Sequence, residues 1–168
     1  MSLNSLLNFR RQRSLKIYSI EMESIIDVIK EVIDSGGEYR LYPSGKSMLP
    51  FIREKMDSVI LVKPEFPLKK LDIPFYIRDD GKYVLHRIIA KEDDCYICCG
   101  DNQLSLEYNV REDMIFAVVK YICRGNKKIP VDCFSFKLYS LVWSVIYIRK
   151  VVWKLRGYVR WIKVTKKL

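Results

Sequence analysis

Gly36-Gly37 divides the chain into two kinds of apolar periodicity, and that change constrains the fold more than any other feature. Before it, residues 19–34 place Ile20, Ile25, Ile26, Val28, Ile29 and Val32 at helical spacing, and the glycines supply a stop. After it the period shortens. Residues 39–42, 58–62, 73–77, 83–90, 96–99 and 115–123 are short runs rich in β-branched and aromatic residues, separated by turn clusters. Asp79-Asp80-Gly81-Lys82 predicts a hairpin into the run at 83–90, and Gly125-Asn126 another into Ile129-Pro130-Val131. Strands this short and this closely spaced pair antiparallel, so the expected fold is mainly β: a small antiparallel β-domain with one N-terminal helix and a helical C-terminal tail. The organisation read from this is a basic N-terminus and amphipathic helix over 1–37, a β-rich domain over 38–133, and a basic, aromatic-rich helical tail over 134–168.

A chain of 168 residues, 49% hydrophobic and 30% charged, is expected to be ordered and to hold a core without disulfides or metal. Its net charge of +10 is unevenly spread. Residues 1–16 hold four Lys or Arg and no acid, residues 134–168 hold nine and no acid, and the remaining 17 basic residues face all 20 acidic ones. The excess therefore sits on the two ends, which points to an anionic surface met by the tails and away from a basic catalytic groove. A membrane is the favoured surface and nucleic acid the disfavoured one.

Cys95, Cys98, Cys99, Cys123 and Cys133 make an odd count, and the charges among the first twenty residues interrupt what would be the apolar region of a signal peptide. A reducing compartment follows as the expectation, either cytoplasmic or peripheral on the cytoplasmic membrane. Cys95 and Cys98 have the spacing of half a zinc site, but the expected role of the Cys-Tyr-Ile-Cys-Cys run is to supply small buried side chains to a strand. No metal or cofactor is expected.

Two short stretches carry chemistry. Ser44-Gly45-Lys46-Ser47-Met48-Leu49-Pro50 puts a small hydroxyl on a Gly-led turn, and Leu85-His86-Arg87 holds the only histidine. A serine is a poor nucleophile until a base within hydrogen-bond reach takes its proton, and imidazole, with an ordinary pKa of about 6.5, suits that task. Either stretch alone is weak, since Ser after Gly is common turn chemistry and a histidine among Val84, Leu85, Ile88 and Ile89 is commonly a half-buried side chain. Lys46 is not expected to be the base, because adjacent side chains diverge.

From residue 42 to about residue 123, the chain resembles the catalytic domain of type I signal peptidases and self-cleaving repressor proteases. There a Gly-x-Ser-Met turn presents the nucleophile and a strand some forty residues on carries the base. Ser44 to Pro50 and Tyr83 to Ile89 are similar to the version whose base is His. The Gly-Asp-Asn box of that family is matched by Gly100-Asp101-Asn102, and its two Asp-led strands by Asp57-Ser58-Val59-Ile60 and Asp72-Ile73-Pro74-Phe75. Met56 and Leu71 stand where the family usually has Gly before those Asp residues. The resemblance implies a serine endopeptidase with Ser47 as nucleophile, His86 as general base, Asp101 supporting the imidazole, Glu107 as a further supporting acid, and Met48 and Leu49 lining a pocket for small side chains. The implied partner is a peptide or preprotein substrate. Two alternatives stand beside it: a catalytically silent peptide-binding module, and a self-cleaving repressor cut at Cys99-Gly100. The second is disfavoured because that bond falls after His86, inside the catalytic domain, and because about forty residues before the serine leave little room for a helix-turn-helix.

The tail at 134–168 reads in two parts. Residues 138–148 are uncharged but too short to span a bilayer, which takes about twenty apolar residues. Beyond them Val151, Leu155, Tyr158 and Ile162 form one ridge, with Arg149, Arg156, Arg160, Lys163 and Lys167 opposite. That pattern fits a helix lying on an anionic membrane surface, and it fits equally a helical hairpin packed on the β-domain with a solvated basic face.

Overall fold

The helix before Gly36-Gly37 forms, with a buried face narrower than its apolar content. In the computed structural model, which describes residues 25–145, 148–152 and 154, helix α1 (25–34) buries Ile26, Ile29 and Ile33, which share one side at i, i+3 and i+7. Ile25 and Val28 lie off that line and stay exposed, while Ile20 falls outside the described residues. Gly36, at φ 81°, turns the chain out of the helix. Its N–H donates to Ile33 O at 3.0 Å and that of Gly37 to Val32 O at 2.9 Å, which satisfies carbonyls the helix end would otherwise orphan.

The β-domain is mainly as expected, in two antiparallel sheets. The first contains β1 (Tyr39–Leu41), β2 (Asp57–Val62), β3 (Pro74–Ile77), β4 (Tyr83–Leu85), β8 (Ile115–Arg124) and β9 (Lys127–Pro130); the second contains β5 (Arg87–Glu92), β6 (Cys95–Cys99) and β7 (Glu107–Val110). The long strand β8 is the spine of the first sheet. β2 pairs with it over 118–124 along one edge, and β3 at 115–118 and β9 at 121–124 share the other.

Two departures from the expected strands bear on function. The run at 83–90 is not one strand: it breaks at His86, where the chain leaves the first sheet as β4 and enters the second as β5. β7 was absent from the expected strands, because Glu107-Tyr108-Asn109-Val110 offers a single buried apolar residue and Asn109, at φ 59°, breaks its alternation.

The buried apolar residues form two clusters. One gathers α1, Met48, Phe51 and Ile52 from the serine turn, and Val59, Leu61, Phe75, Ala117, Val119 and Ile122 from the strands. The other holds Leu68, Tyr76, Ile88, Tyr96, Cys98, Val110, Met114 and Ile115. Cys98 and Cys99 are fully buried in β6, the packing role expected for that run. Leu71 has φ 81°, a left-handed conformation that costs a side-chain-bearing residue about 1–2 kcal/mol. It is fixed by its N–H donating to Ile88 O at 2.9 Å.

Of the tail, helix α2 (Phe134–Ser144) packs one side on the β-domain. Phe136 and Tyr139 meet Phe51 with ring centroids 4.7 and 5.0 Å away, and Trp143 stacks on Tyr139 at 5.6 Å. The chain is helical again at 148–152, and of the expected ridge Val151, Leu155, Tyr158 and Ile162 only Val151 is described. Among the described residues no helix is long and apolar enough to cross a membrane.

Candidate functional site

Ser47 sits on a turn rooted in the core on one side and tied to charged groups on the other. Met48, Phe51 and Ile52 are buried, while Ser44, Gly45 and Lys46 are exposed and Ser47 is half-buried between them. Gly45 has φ 94°, a conformation open to glycine at no steric cost, and its N–H donates to Glu54 Oε1 at 2.9 Å. Ile52 N–H closes the turn on Met48 O at 2.9 Å, and the Leu49-Pro50 peptide is cis. Below the turn, buried Asp57 accepts from the backbone N–H, Nε and Nη2 of Arg53 at 3.0, 3.1 and 2.8 Å, while Arg124 Nη2 donates to Phe51 O at 2.6 Å.

The loop after β6 comes to this turn. Asn102 N–H donates to the Ser47 carbonyl at 2.6 Å. A Cβ placed on Gly100 would lie 2.8 Å from Ser47 O and 3.0 Å from His86 Nε2, so both atoms crowd the same bare glycine and lie within the sum of those distances of each other. The turn of Ser47 and the ring of His86 therefore meet across Gly100, and only glycine fits between them.

His86 is 1% exposed and occupies the corner where the chain changes sheets. Its Nδ1 lies 2.9 Å from Glu107 Oε1, at ion-pair distance but off the line of a well-aligned N–H···O bond. A carboxylate at Nδ1 favours a proton on that nitrogen, which leaves the Nε2 lone pair on the side of Ser47 and Gly100. Glu107 is itself held, by Tyr76 Oη and Arg78 Nη2 in short contacts and by Arg78 Nε at 3.0 Å. Burial pushes its carboxyl pKa up, but the close contact with His86 and the hydrogen bonds from Arg78 and Tyr76 outweigh burial and hold it at about 2. Burial and the neighbouring Cys98 and Glu107 push the Tyr76 phenol far above its ordinary range, so it stays a donor.

Asp101 does not support the histidine. Its buried carboxylate accepts from Arg87 Nε at 2.9 Å and Nη2 at 2.8 Å, and the remaining Nη1 of that guanidinium donates to Leu71 O at 3.1 Å and Ser140 Oγ at 2.7 Å. The guanidinium lies over the Phe51 ring at 4.4 Å. Successive residues at the start of β5 face opposite ways, and Arg87 pairs in register with Cys99, two residues before Asp101. The pairing of β6 with β7, with Cys98 opposite Glu107, delivers the other carboxylate to the histidine. Of the two acids named from the sequence, Glu107 is the one at His86.

A cleft of about 100 Å³ opens beside the serine, walled by Gly45, Ser47, Met48, Tyr83, Val84 and Leu85 among others. Met48 lines it; Leu49, half-buried, is not part of its wall. Lys46 is exposed.

Sequence reasoning missed Arg78, Tyr76 and Arg87, and it named Gly100 only as part of the Gly-Asp-Asn box. Tyr76 and Arg78 stand two apart at the end of β3 and so share a face, which is visible only once Glu107 is known to lie opposite. Arg87 did carry a signal: an arginine between Leu85, His86 and Ile88 on a buried strand requires a buried acid.

The depressed pKa of Glu107 makes a stability prediction. Its folded value of about 2 lies below the ordinary 4.5, so the unfolded chain takes up the proton first as pH falls. The stabilisation is complete above pH 4.5 and is lost progressively as pH falls to about 2. With the side chain only 18% exposed, Glu107→Gln should cost roughly 3 kcal/mol at pH 7 in urea unfolding. The difference from wild type should close towards pH 2; a gap unchanged across that range would mean that ionisation of Glu107 does not stabilise the fold.

No family model, curated protein or solved structure matches the chain.

Proposed function

We propose that the protein is a serine endopeptidase that cleaves a peptide or leader segment by acyl transfer to water. The observation carrying this reading is the convergence of the Ser47 turn, His86 Nε2 and Gly100, with Glu107 on the opposite nitrogen of the same ring. Ser47 Oγ attacks the scissile carbonyl while His86 Nε2 takes its proton and later gives one to the leaving amine. Glu107 holds the imidazole in orientation and stabilises its charged form. Arg78 and Tyr76 are positioning residues that keep Glu107 ionised and aimed. Backbone N–H groups of the serine turn would hold the developing oxyanion, a role worth ~3 kcal/mol per well-placed donor. The small cleft beside Ser47 suits a small side chain next to the scissile bond.

Two further observations favour the resemblance to the His-type signal peptidases. Leu71, at the position of a family glycine, adopts a glycine-like left-handed backbone. The loop of the family's Gly-Asp-Asn box lies against the serine turn, through Asn102. Self-cleavage at Cys99-Gly100 is disfavoured, since both residues are buried and Arg149 Nη1 donates to Gly100 O at 3.0 Å. The test is incubation with a peptide library and identification of the new termini by mass spectrometry. Cleavage after small residues is expected; an untouched library together with saturable peptide binding would favour the catalytically silent module.

A further inference from the structure

Helix α2 is apolar on both sides. Its inner side meets Phe51 and the loop of Gly100 to Gln103: Trp143 Nε1 donates to Asp101 O at 2.5 Å, and Ser140 accepts from Arg87. Its outer side carries Phe134, Leu138, Leu141, Val142 and Val145 at i, i+4, i+7, i+8 and i+11, with Phe134 82%, Leu138 51% and Leu141 56% exposed. A helix packed on a domain and bathed in water presents charge outward. This one carries a single charged residue, Lys137. Contiguous exposed apolar side chains of this kind mark a surface that is covered in use.

We infer that the outer face of α2 is a docking surface for an anionic lipid bilayer, which seats the serine site against the membrane. The occupant is identified by charge. Residues 134–168, the segment that carries the stripe, contain nine Lys or Arg and no acid, so its charge complements a surface that is itself negative. A second copy docked through the same segment would supply nine more cations from it and no acid. A bilayer interface takes apolar side chains into its acyl boundary and pairs the cations with headgroups. The sequence placed the membrane-facing ridge further along, at Val151 and beyond; the exposed stripe on α2 lies upstream of it and is fastened directly to the loop that contacts Ser47. The inference does not depend on catalysis.

The test uses the full chain, sedimented with vesicles of phosphatidylcholine alone or of phosphatidylcholine with phosphatidylglycerol. Binding to the anionic vesicles should exceed binding to the neutral ones by about tenfold or more and fall in high salt. The triple variant Leu138→Ser, Leu141→Ser, Val142→Ser changes no charge, and should bind about tenfold more weakly while melting at the wild-type temperature. If the triple variant unfolds early, single Leu138→Gln and Leu141→Gln variants should each weaken binding by a smaller factor. Three results would overturn the inference: wild-type protein that ignores anionic vesicles, stripe variants that bind them as tightly as wild type, or a lipid-free dimer that the stripe variants dissociate.

Discussion

Ser47→Ala should reduce peptide hydrolysis by about 10⁴-fold or more while leaving unfolding within roughly 0.5 kcal/mol of wild type. The variant loses only a hydroxyl on a half-buried turn residue; the Ser47 carbonyl that receives Asn102 N–H is backbone and remains. His86→Ala should be nearly as severe. Nucleophile and base act as a unit, so the double variant should be no slower than either single one. The two differ in stability, because removing His86 takes a buried ring from beside Tyr76 and Glu107 and should cost about 1–3 kcal/mol. Glu107→Gln should slow turnover less than either. Steady-state kinetics on one cleaved peptide across wild type and the four variants decides this, and Ser47→Ala turning over at a tenth of the wild-type rate would remove the serine mechanism.

Asp101→Ala should cost about 3–5 kcal/mol of stability, the largest loss expected from any single carboxylate here. Both partners of the Arg87–Asp101 pair are at most 1% exposed, so truncating the acid strands a buried guanidinium whose remaining partners, Leu71 O and Ser140 Oγ, carry no charge. Domains are stable by only about 5–15 kcal/mol, so such a loss consumes much of the reserve. Replacing both partners, as Arg87→Met with Asp101→Leu, should recover most of it, because no charge is then left unpaired. Urea unfolding measures both, and hydrolysis per folded molecule separates this role from one at the histidine. An Asp101→Ala protein of wild-type stability with a collapsed rate would return Asp101 to His86.

The sequence was legible where the signal is local. The helix stop at Gly36, the Gly45-led turn and the hairpin at Asp79 to Lys82 follow from neighbouring residues alone, and the structure contains all three. The apolar run at 83–90 concealed the break at His86, because a change of sheet alters no period; it shows only in which strand each half pairs with. The choice between Asp101 and Glu107 was likewise out of reach. It depends on register, which places Glu107 opposite Cys98 and Asp101 beyond Cys99, and register is a property of the assembled sheet. In α2 the apolar content was evident, but which half of it faces the domain was decided by Phe51 and by the aromatic stack of Tyr139 and Trp143.

The central claim, that Ser47 is a nucleophile activated by His86, is tested most directly by covalent labelling with a fluorophosphonate followed by peptide mapping. Phosphonylation approaching one group per chain, located on Ser47 and absent from both Ser47→Ala and His86→Ala, is the result the account predicts. A folded wild-type protein that stays unlabelled, or one labelled equally well without His86, would contradict it.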